Sequence, residues 1–447
     1  MGNRKAIRTE YLIVGNSAGG IGAAEAIREV DKKNRITIVS DEPYLTYSRP
    51  LISKYLSHER TVDEILFRPA DFYSQNNIEL LLDIKVQHLD LQHKIAQLGN
   101  GEQITWNKLL LATGGIPIIP RMRGGNKKGV FTFLTVNDAV AIDEFIKDGF
   151  EAVVIGGGLI GISVTEALVK RGVSVTVVEM KDRILNTILD EVASSIAEET
   201  IRQAGVRVVT NQTVAKVIGE TRAEGVVLDN GERIRCDLVV VAIGVLPRSE
   251  LVSGTEIKVN RGIVVDRLMS TSYPGVYACG DVAEAYDFVY DTNRLTPIWP
   301  NAYIGGRVAG YNMAGVRAEY RGGTAMNSLN YFGLDIATAG AVTTPPDRNW
   351  EEISRRDDGV YKKVILGEDL VVGMVFVGDI EKSGMIFSLM RDGVNVADFK
   401  PALLADDFGL AYLPREMWQE RLGATPSSAK SVFVMPAGAK KPVLTNK

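Results

Sequence analysis

Residues Glu151–Glu179 read EAVVIGGGLIGISVTEALVKRGVSVTVVE, and the fold follows from this stretch. The apolar run Ala152–Ile155, closed by Gly156, has the length and continuity of a strand buried on both faces in a parallel sheet. Gly156, Gly158 and Gly161 follow in G-x-G-x-x-G spacing, and Ile160, Val164, Ala167 and Leu168 then recur at helical intervals. Val173–Val178 is a second strand, ended by Glu179. Each part has a job in holding a dinucleotide. Gly156 permits the tight turn, Gly158 lets the backbone approach a pyrophosphate, and Gly161 lets the helix pack closely on the strand. The N–H groups of the helix start, around Leu159 and Ile160, offer the phosphates the positive end of the helix dipole. Glu179 lies 18 residues beyond Gly161, placed to accept hydrogen bonds from a ribose 2′-OH. An acid there favours NAD over NADP, whose 2′-phosphate it would repel. Lys181 and Arg183 close by leave NADP open.

The same unit recurs nearer the N-terminus. Tyr11–Val14 reads as a strand, Gly15-Asn16-Ser17-Ala18-Gly19-Gly20 as the turn and Ile21–Val30 as an Ala-rich helix. Arg35–Ser40 reads as the next strand, and Asp41 and Glu42 both stand where the ribose-binding acid belongs. Ser17 replaces the middle glycine; it is small enough for close approach, and its hydroxyl can bond a phosphate. Taken alone, a G-x-G-x-x-G is a weak signal and either turn could be empty. The N-terminal match is the weaker, with its acid one or two places late, but a second unit about 140 residues downstream strengthens it.

Composition narrows the chemistry. At roughly 150 residues per domain, 447 residues suggest about three domains. There are 44 Gly but only 2 Cys and 3 His, too few for a disulfide scaffold, a zinc module or a resident iron–sulfur cluster. No metal site is expected. A net charge of −4 argues against a broad nucleic-acid-binding face. Met1–Arg8 is polar, with no signal-peptide apolar core. The longest apolar run, Leu238–Leu246, is shorter than the ~18 residues of a membrane span. Unpaired cysteines without an export signal read as cytoplasmic.

Further segments carry a family resemblance. Leu109–Pro117 reads LLLATGGIP, Asp237–Pro247 reads DLVVVAIGVLP and Tyr273–Asp281 reads YPGVYACGD, while Ile298–Gly315 reads IWPNAYIGGRVAGYNMAG. With the two glycine turns, they resemble the FAD-dependent pyridine nucleotide-disulfide oxidoreductase superfamily. That resemblance implies an α/β fold of two Rossmann-like dinucleotide-binding domains, with the NAD domain inserted in the FAD domain, plus a C-terminal α/β interface domain. The expected order is FAD domain 1–118, NAD domain 119–245, FAD domain 246–322, C-terminal domain 323–420 and tail 421–447. It places Ala112, Thr113, Gly114 and Gly244 at the crossings between domains. Gly280 and Asp281 would hold the flavin's ribitol chain, and Trp299 would start the helix beside the isoalloxazine ring. FAD and NAD are the implied cofactors, with NADP as the alternative.

Tyr47–Leu56, YSRPLISKYL, resembles the flavin-adjacent segment of the NADH-dependent rubredoxin-reductase and nitrite-reductase-like branch. Disulfide reductases carry cysteine near this point, whereas residues 37–60 here hold none. The resemblance implies Lys54 beside flavin N5 as the catalytic side chain, and Arg49 against the flavin or its phosphates. Its usual partner for Lys54, a Glu two residues after the third glycine, is Ser163 here, which leaves Lys54 without that partner. Cys236 and Cys279 read as packing residues, and His58, His88 and His93 as surface residues. The implied activity is transfer of electrons between NAD(P)H and an iron–sulfur protein through flavin. The partner would be a rubredoxin- or ferredoxin-like carrier, or the iron–sulfur subunits of a phenylglyoxylate dehydrogenase- or aldehyde oxidoreductase-like complex. Alternatives are direct reduction of oxygen, a quinone or a persulfide, or a redox-sensing flavin-binding interaction protein. The C-terminal domain is the expected homodimer interface. The tail Ala424–Lys447, with Lys430, Lys440, Lys441 and Lys447 and no acids, is a candidate dock for an acidic partner.

Overall fold

The computed structural model describes residues 6–413. Its first body grows from strands β1 (Ala6–Val14) and β2 (Ile36–Val39), joined through helix α1 (Ala18–Val30). The strands pair in parallel, from Tyr11 opposite Ile36 to Val14 opposite Val39. A short helix, α2 (Ile52–Leu56), precedes β3 (Ile78–Leu81), which extends the sheet beyond β2, while β4 (Gln103–Leu111) lies on the other side of β1. Both β1 and α1 begin before the positions expected from sequence. The Ala6–Thr9 half of β1 is held by Gln103–Trp106 of β4, a distant partner that leaves no local pattern, and α1 starts directly after its cap, Ser17.

From β5 (Gly115–Pro117) the chain enters a second body. It comprises β6 (Val130–Thr132), α3 (Val136–Phe145), β7 (Glu151–Ile155), α4 (Leu159–Lys170) and β8 (Ser174–Val178). It continues through α5 (Glu191–Gln203), β9 (Arg207–Val209) and β10 (Leu238–Val241). The sheet order is β9-β8-β7-β10-β6, all parallel. The chain leaves on β11 (Val245–Pro247), which pairs with β5 as an antiparallel ribbon. Only then does β12 (Val276–Ala278) join the first sheet, beside Leu109–Leu111 of β4. Helix α6 (Trp299–Met313) lies across α1 at very short range, because glycines meet at the crossing. A Cβ on Gly306 would run into the Gly19 carbonyl, and one on Gly310 into that of Ala23.

The third body is an antiparallel sheet of β13 (Met326–Tyr331), β14 (Leu334–Gly340), β15 (Glu351–Asp357), β16 (Val360–Gly367) and β17 (Leu370–Val377), followed by α7 (Ser383–Asp392). Its order is β13-β14-β17-β16-β15. Strand alternation sends its side chains to two different cores. Ile336, Tyr361, Val375 and Val377 join the core of the second body, whereas Ala337, Val364, Phe376 and Ile386 form a separate core with α7. The two adjacent lysines of β16 are both buried, one on each face: Lys363 meets Asp190, and Lys362 meets Asp379.

The α2 segment behaves unexpectedly. Tyr47, Ile52, Leu56 and Ile65 belong by chain order to the first body but pack into the core of the second. Among the described residues no helix is long and apolar enough to cross a membrane. The Ala424–Lys447 tail lies outside the described residues.

Candidate functional site

Both glycine turns are built alike. Gly15 and Gly156 have φ of +119° and +108°, a backbone region that glycine alone enters cheaply. A Cβ on Gly15 would strike the Ala112 carbonyl, and one on Gly156 the Ala242 carbonyl, so each turn is pressed against the strand end beside it. The third glycines, Gly20 and Gly161, sit on the carbonyls of Gly15 and Gly156, which closes helix onto turn. Gly19 lies against Cys279 Sγ, and Ala18 is buried beside it. The caps keep free surface for a ligand. Ser17 makes no side-chain capping hydrogen bond, and nothing stands within 4 Å of where a Cβ on Gly158 would lie. Beyond that cap, Leu159 and Ile160 present the first N–H groups of α4, which an α-helix leaves without internal partners.

The acids at the second-strand ends differ. Glu179 is 8% exposed; it accepts hydrogen bonds from the N–H of Gly157 (2.6 Å) and of Lys181 (2.8 Å), and so is tied to the turn it serves. Arg183 is paired with Asp182 at 2.8 Å. In the first unit Asp41 pairs with Arg248 (2.7 Å), while Glu42 takes Arg49 and the hydroxyl of Tyr47 (2.6 Å).

The crossings knit these parts together. Thr113 Oγ1 donates to the Arg248 carbonyl (2.7 Å), and the Arg248 N–H donates to the Gly114 carbonyl (2.9 Å). Gly244, at φ +117°, accepts from Ile118 N–H (2.9 Å). Gly280, at φ +76°, opens a single 3-10 turn that carries Asp281. Trp299 starts α6, with Phe67 edge-on at 5.1 Å. Asp281 has no hydrogen bond or ion pair among the described residues. Burial raises its carboxyl pKa, and the charge of Arg49 pulls it partly back. Arg49 also donates to the Leu134 carbonyl (3.1 Å). Burial works to lower its pKa, but Tyr47 and Glu42 outweigh that and hold it above the ordinary value, so it stays a cation. A mostly buried, unpartnered carboxylate, an uncapped serine and an open glycine cap are features that bound nucleotides would complete.

Lys54 does have a partner, one that sequence did not disclose. Its Nζ lies 3.3 Å from Glu59, whose carboxylate also takes Lys170 of α4 (3.1 Å) and Ser57 Oγ (2.6 Å). The Ser57 hydrogen bond is the main cause of a Glu59 pKa near 2, opposed by slight burial. Ser163 instead bonds Tyr331 (2.9 Å). Nothing in the spacing of residues 54 and 59 marked this pair.

Cys236 and Cys279 are free and buried, and burial pushes each thiol up to about 12. A thiolate, the reactive form, is thereby suppressed at both. His58 and His93 are exposed, paired with Asp143 and Asp90, and His88 is exposed on its strand. No group of three or more potential metal ligands exists among the described residues.

Comparison with known proteins agrees with this geometry. Residues 9–322 match the pyridine nucleotide-disulphide oxidoreductase model, and residues 326–394 match the rubredoxin NAD+ reductase C-terminal domain. The NADH-dependent phenylglyoxylate dehydrogenase subunit epsilon of Aromatoleum evansii is 31% identical over 89% of this chain and 95% of its own. The nitrite reductase [NAD(P)H] of Bacillus subtilis is 29% identical over 88% of this chain, which spans only 48% of that longer protein. The covalent putidaredoxin reductase–putidaredoxin complex contains a chain that superposes with a TM-score of 0.80 at 25% identity, covering 87% of this chain and 94% of that one. The chain belongs to the pyridine nucleotide-disulphide oxidoreductase family, which uses FAD and NAD(P)H.

Proposed function

We propose that the protein passes electrons between NAD(H) and an iron–sulfur protein through FAD, with no redox-active disulfide. The observation that carries this reading is the pairing of two nucleotide cradles with a site free of reactive thiol: the only two cysteines are buried and held neutral. FAD supplies the step between a two-electron hydride donor and one-electron acceptors. The chain's part is to bind and orient. Gly15, Ser17, Ala18, Gly19 and Gly20 receive the FAD phosphates, Asp41 or Glu42 the ribose, and Gly280 and Asp281 the ribitol chain. Ala112, Thr113 and Gly114 line the crossing, Trp299 begins the helix beside the flavin, and Arg49 sets positive charge among them. Gly156, Gly158, Leu159, Ile160, Gly161, Glu179 and Gly244 hold the nicotinamide nucleotide. Lys54 supplies a cation to the flavin, with Glu59 fixing where its charge can rest.

The partner is a rubredoxin- or ferredoxin-like carrier or the iron–sulfur subunits of a larger oxidoreductase. A rubredoxin-reductase-type C-terminal domain and the likeness to a putidaredoxin reductase support the class. A homodimer would use the edges of the third sheet, since one face packs on the second body and the other on α7. Anaerobic NADH should bleach the yellow protein, and a cluster protein should restore its colour where a disulfide substrate does not. Failure to take up FAD, or recolouring by disulfide alone, would refute the proposal. A cytoplasmic enzyme of this kind needs no membrane span.

A further inference from the structure

We propose that Tyr331, in the third body, is a positioning residue for the nicotinamide nucleotide, acting through the first turn of α4. The inference rests on reading Gly156–Gly161 as that nucleotide's cradle. Tyr331 ends β13 at a hairpin tip where Phe332 and Gly333 have φ of +51° and +85°. Its ring is buried in the core shared with the second body. Its hydroxyl meets α4 twice, at the Leu159 carbonyl (3.2 Å) and at Ser163 Oγ (2.9 Å). The N–H of Phe332 adds a third contact, to Glu166 Oε1 (3.3 Å). Residues 159, 163 and 166 are spaced four and three apart and so share one face of the helix.

The protons in this contact are accounted for. Tyr331 donates its single proton to the Leu159 carbonyl, so Ser163 donates to the Tyr331 oxygen. A serine in mid-helix ordinarily turns back on the carbonyl four residues earlier, which here is Leu159. Tyr331 donates to that carbonyl instead, and its oxygen accepts the serine's hydrogen bond. Burial pushes the Tyr331 phenol up to about 12, only partly offset by Ser163, so it remains a neutral donor throughout the physiological range.

A second tie acts at the neighbouring helix start. Asp190 caps α5 by accepting from Ala193 N–H (3.0 Å). The same carboxylate takes Tyr361 Oη (2.8 Å) and Lys363 Nζ (2.6 Å) from the third body. Two of the second body's three helix starts, those of α4 and α5, are therefore gripped by one sheet. The N–H groups that would face the nucleotide phosphates belong to the first turn of α4, so what fixes that turn fixes their aim.

Tyr331→Phe keeps the ring and removes only the hydroxyl. In anaerobic stopped-flow with the FAD-loaded protein, the NADH dissociation constant should rise about five-fold, the size of one lost hydrogen bond. The limiting reduction rate should stay within twofold and FAD content should be unchanged. Ser163→Ala, a milder change, should shift NADH binding in the same direction and add little in the Tyr331→Phe background. An NADH dissociation constant within twofold of the parent for both variants, whatever happens to Tm, overturns the proposal. A parent protein that NADH does not reduce at all would instead overturn the underlying assignment of the cradle, and this inference with it.

Discussion

The two glycine turns have nearly the same backbone, but their acids are met by different kinds of partner. In both, the first glycine has a positive φ and the third lies against its carbonyl. In the first unit, however, Asp41 and Glu42 are met by arginine side chains, Arg248 from far along the chain and Arg49 from seven residues on. In the second, Glu179 is met by backbone N–H groups of its own turn and next residues. The first site is thus assembled from several segments and the second is nearly self-contained. Geometry is common to the fold, and charge distinguishes the two sites.

The largest expected effect tests the shared half of this comparison. Gly20→Val and Gly161→Val each drive a branched side chain into a carbonyl, at a cost of about 3 kcal/mol or more, so both should lower Tm by several degrees. Equal behaviour of the pair would support a common architecture, and tolerance in one would break it. Next comes Asp281→Ala, which should reduce FAD affinity about 10–100-fold, read as flavin absorbance per protein, with NAD+ binding to the second unit little changed. Glu179→Gln should narrow the preference for NADH over NADPH about tenfold in kcat/KM, because the carboxylate that repels a 2′-phosphate is gone.

The smallest effect is alkaline. The first and second bodies each bury one thiol, Cys279 and Cys236, whose pKa rises from 9 to about 12. The stability this neutral form contributes is full below pH 9 and lost as pH climbs towards 12, because the unfolded thiol ionises first. At pH 10 the loss should be about 1 kcal/mol per thiol. Urea unfolding of Cys279→Ala and Cys236→Ala at pH 8 and pH 10 checks it; a parent slope unchanged in both variants would remove the thiols from the account.

Much of the plan was legible because glycine spacing and continuous apolar strands are local signals. Gly156–Gly161 and Gly15–Gly20 announce their turns within a few residues, and no distant contact is needed to see them. The remainder depends on partners far along the chain. Lys362 and Lys363 stand in an otherwise apolar strand and suggest a wet edge, yet both are buried, because Asp379 and Asp190 meet them from opposite sides. With Ser163 in place of the expected Glu, the sequence offers Lys54 no counter-ion by motif, and Glu59 supplies one from the loop after α2. The packing of Tyr47, Ile52 and Leu56 into the second core could not be read either, since an apolar residue does not state which core it enters.

The ribbon of β5 and β11 also bears on how the chain is made. β4 is synthesised well before β12, yet Leu109 finds its neighbour only at Val276, after the whole second body has passed. The first sheet therefore has a strand edge open during synthesis, while the inserted body can close on local pairings of its own. Its completion closes a long loop, a slow kind of contact. A ribosome-bound chain arrested when Pro247 has just cleared the ribosome should show a protease-resistant second body and a first body still open to cleavage.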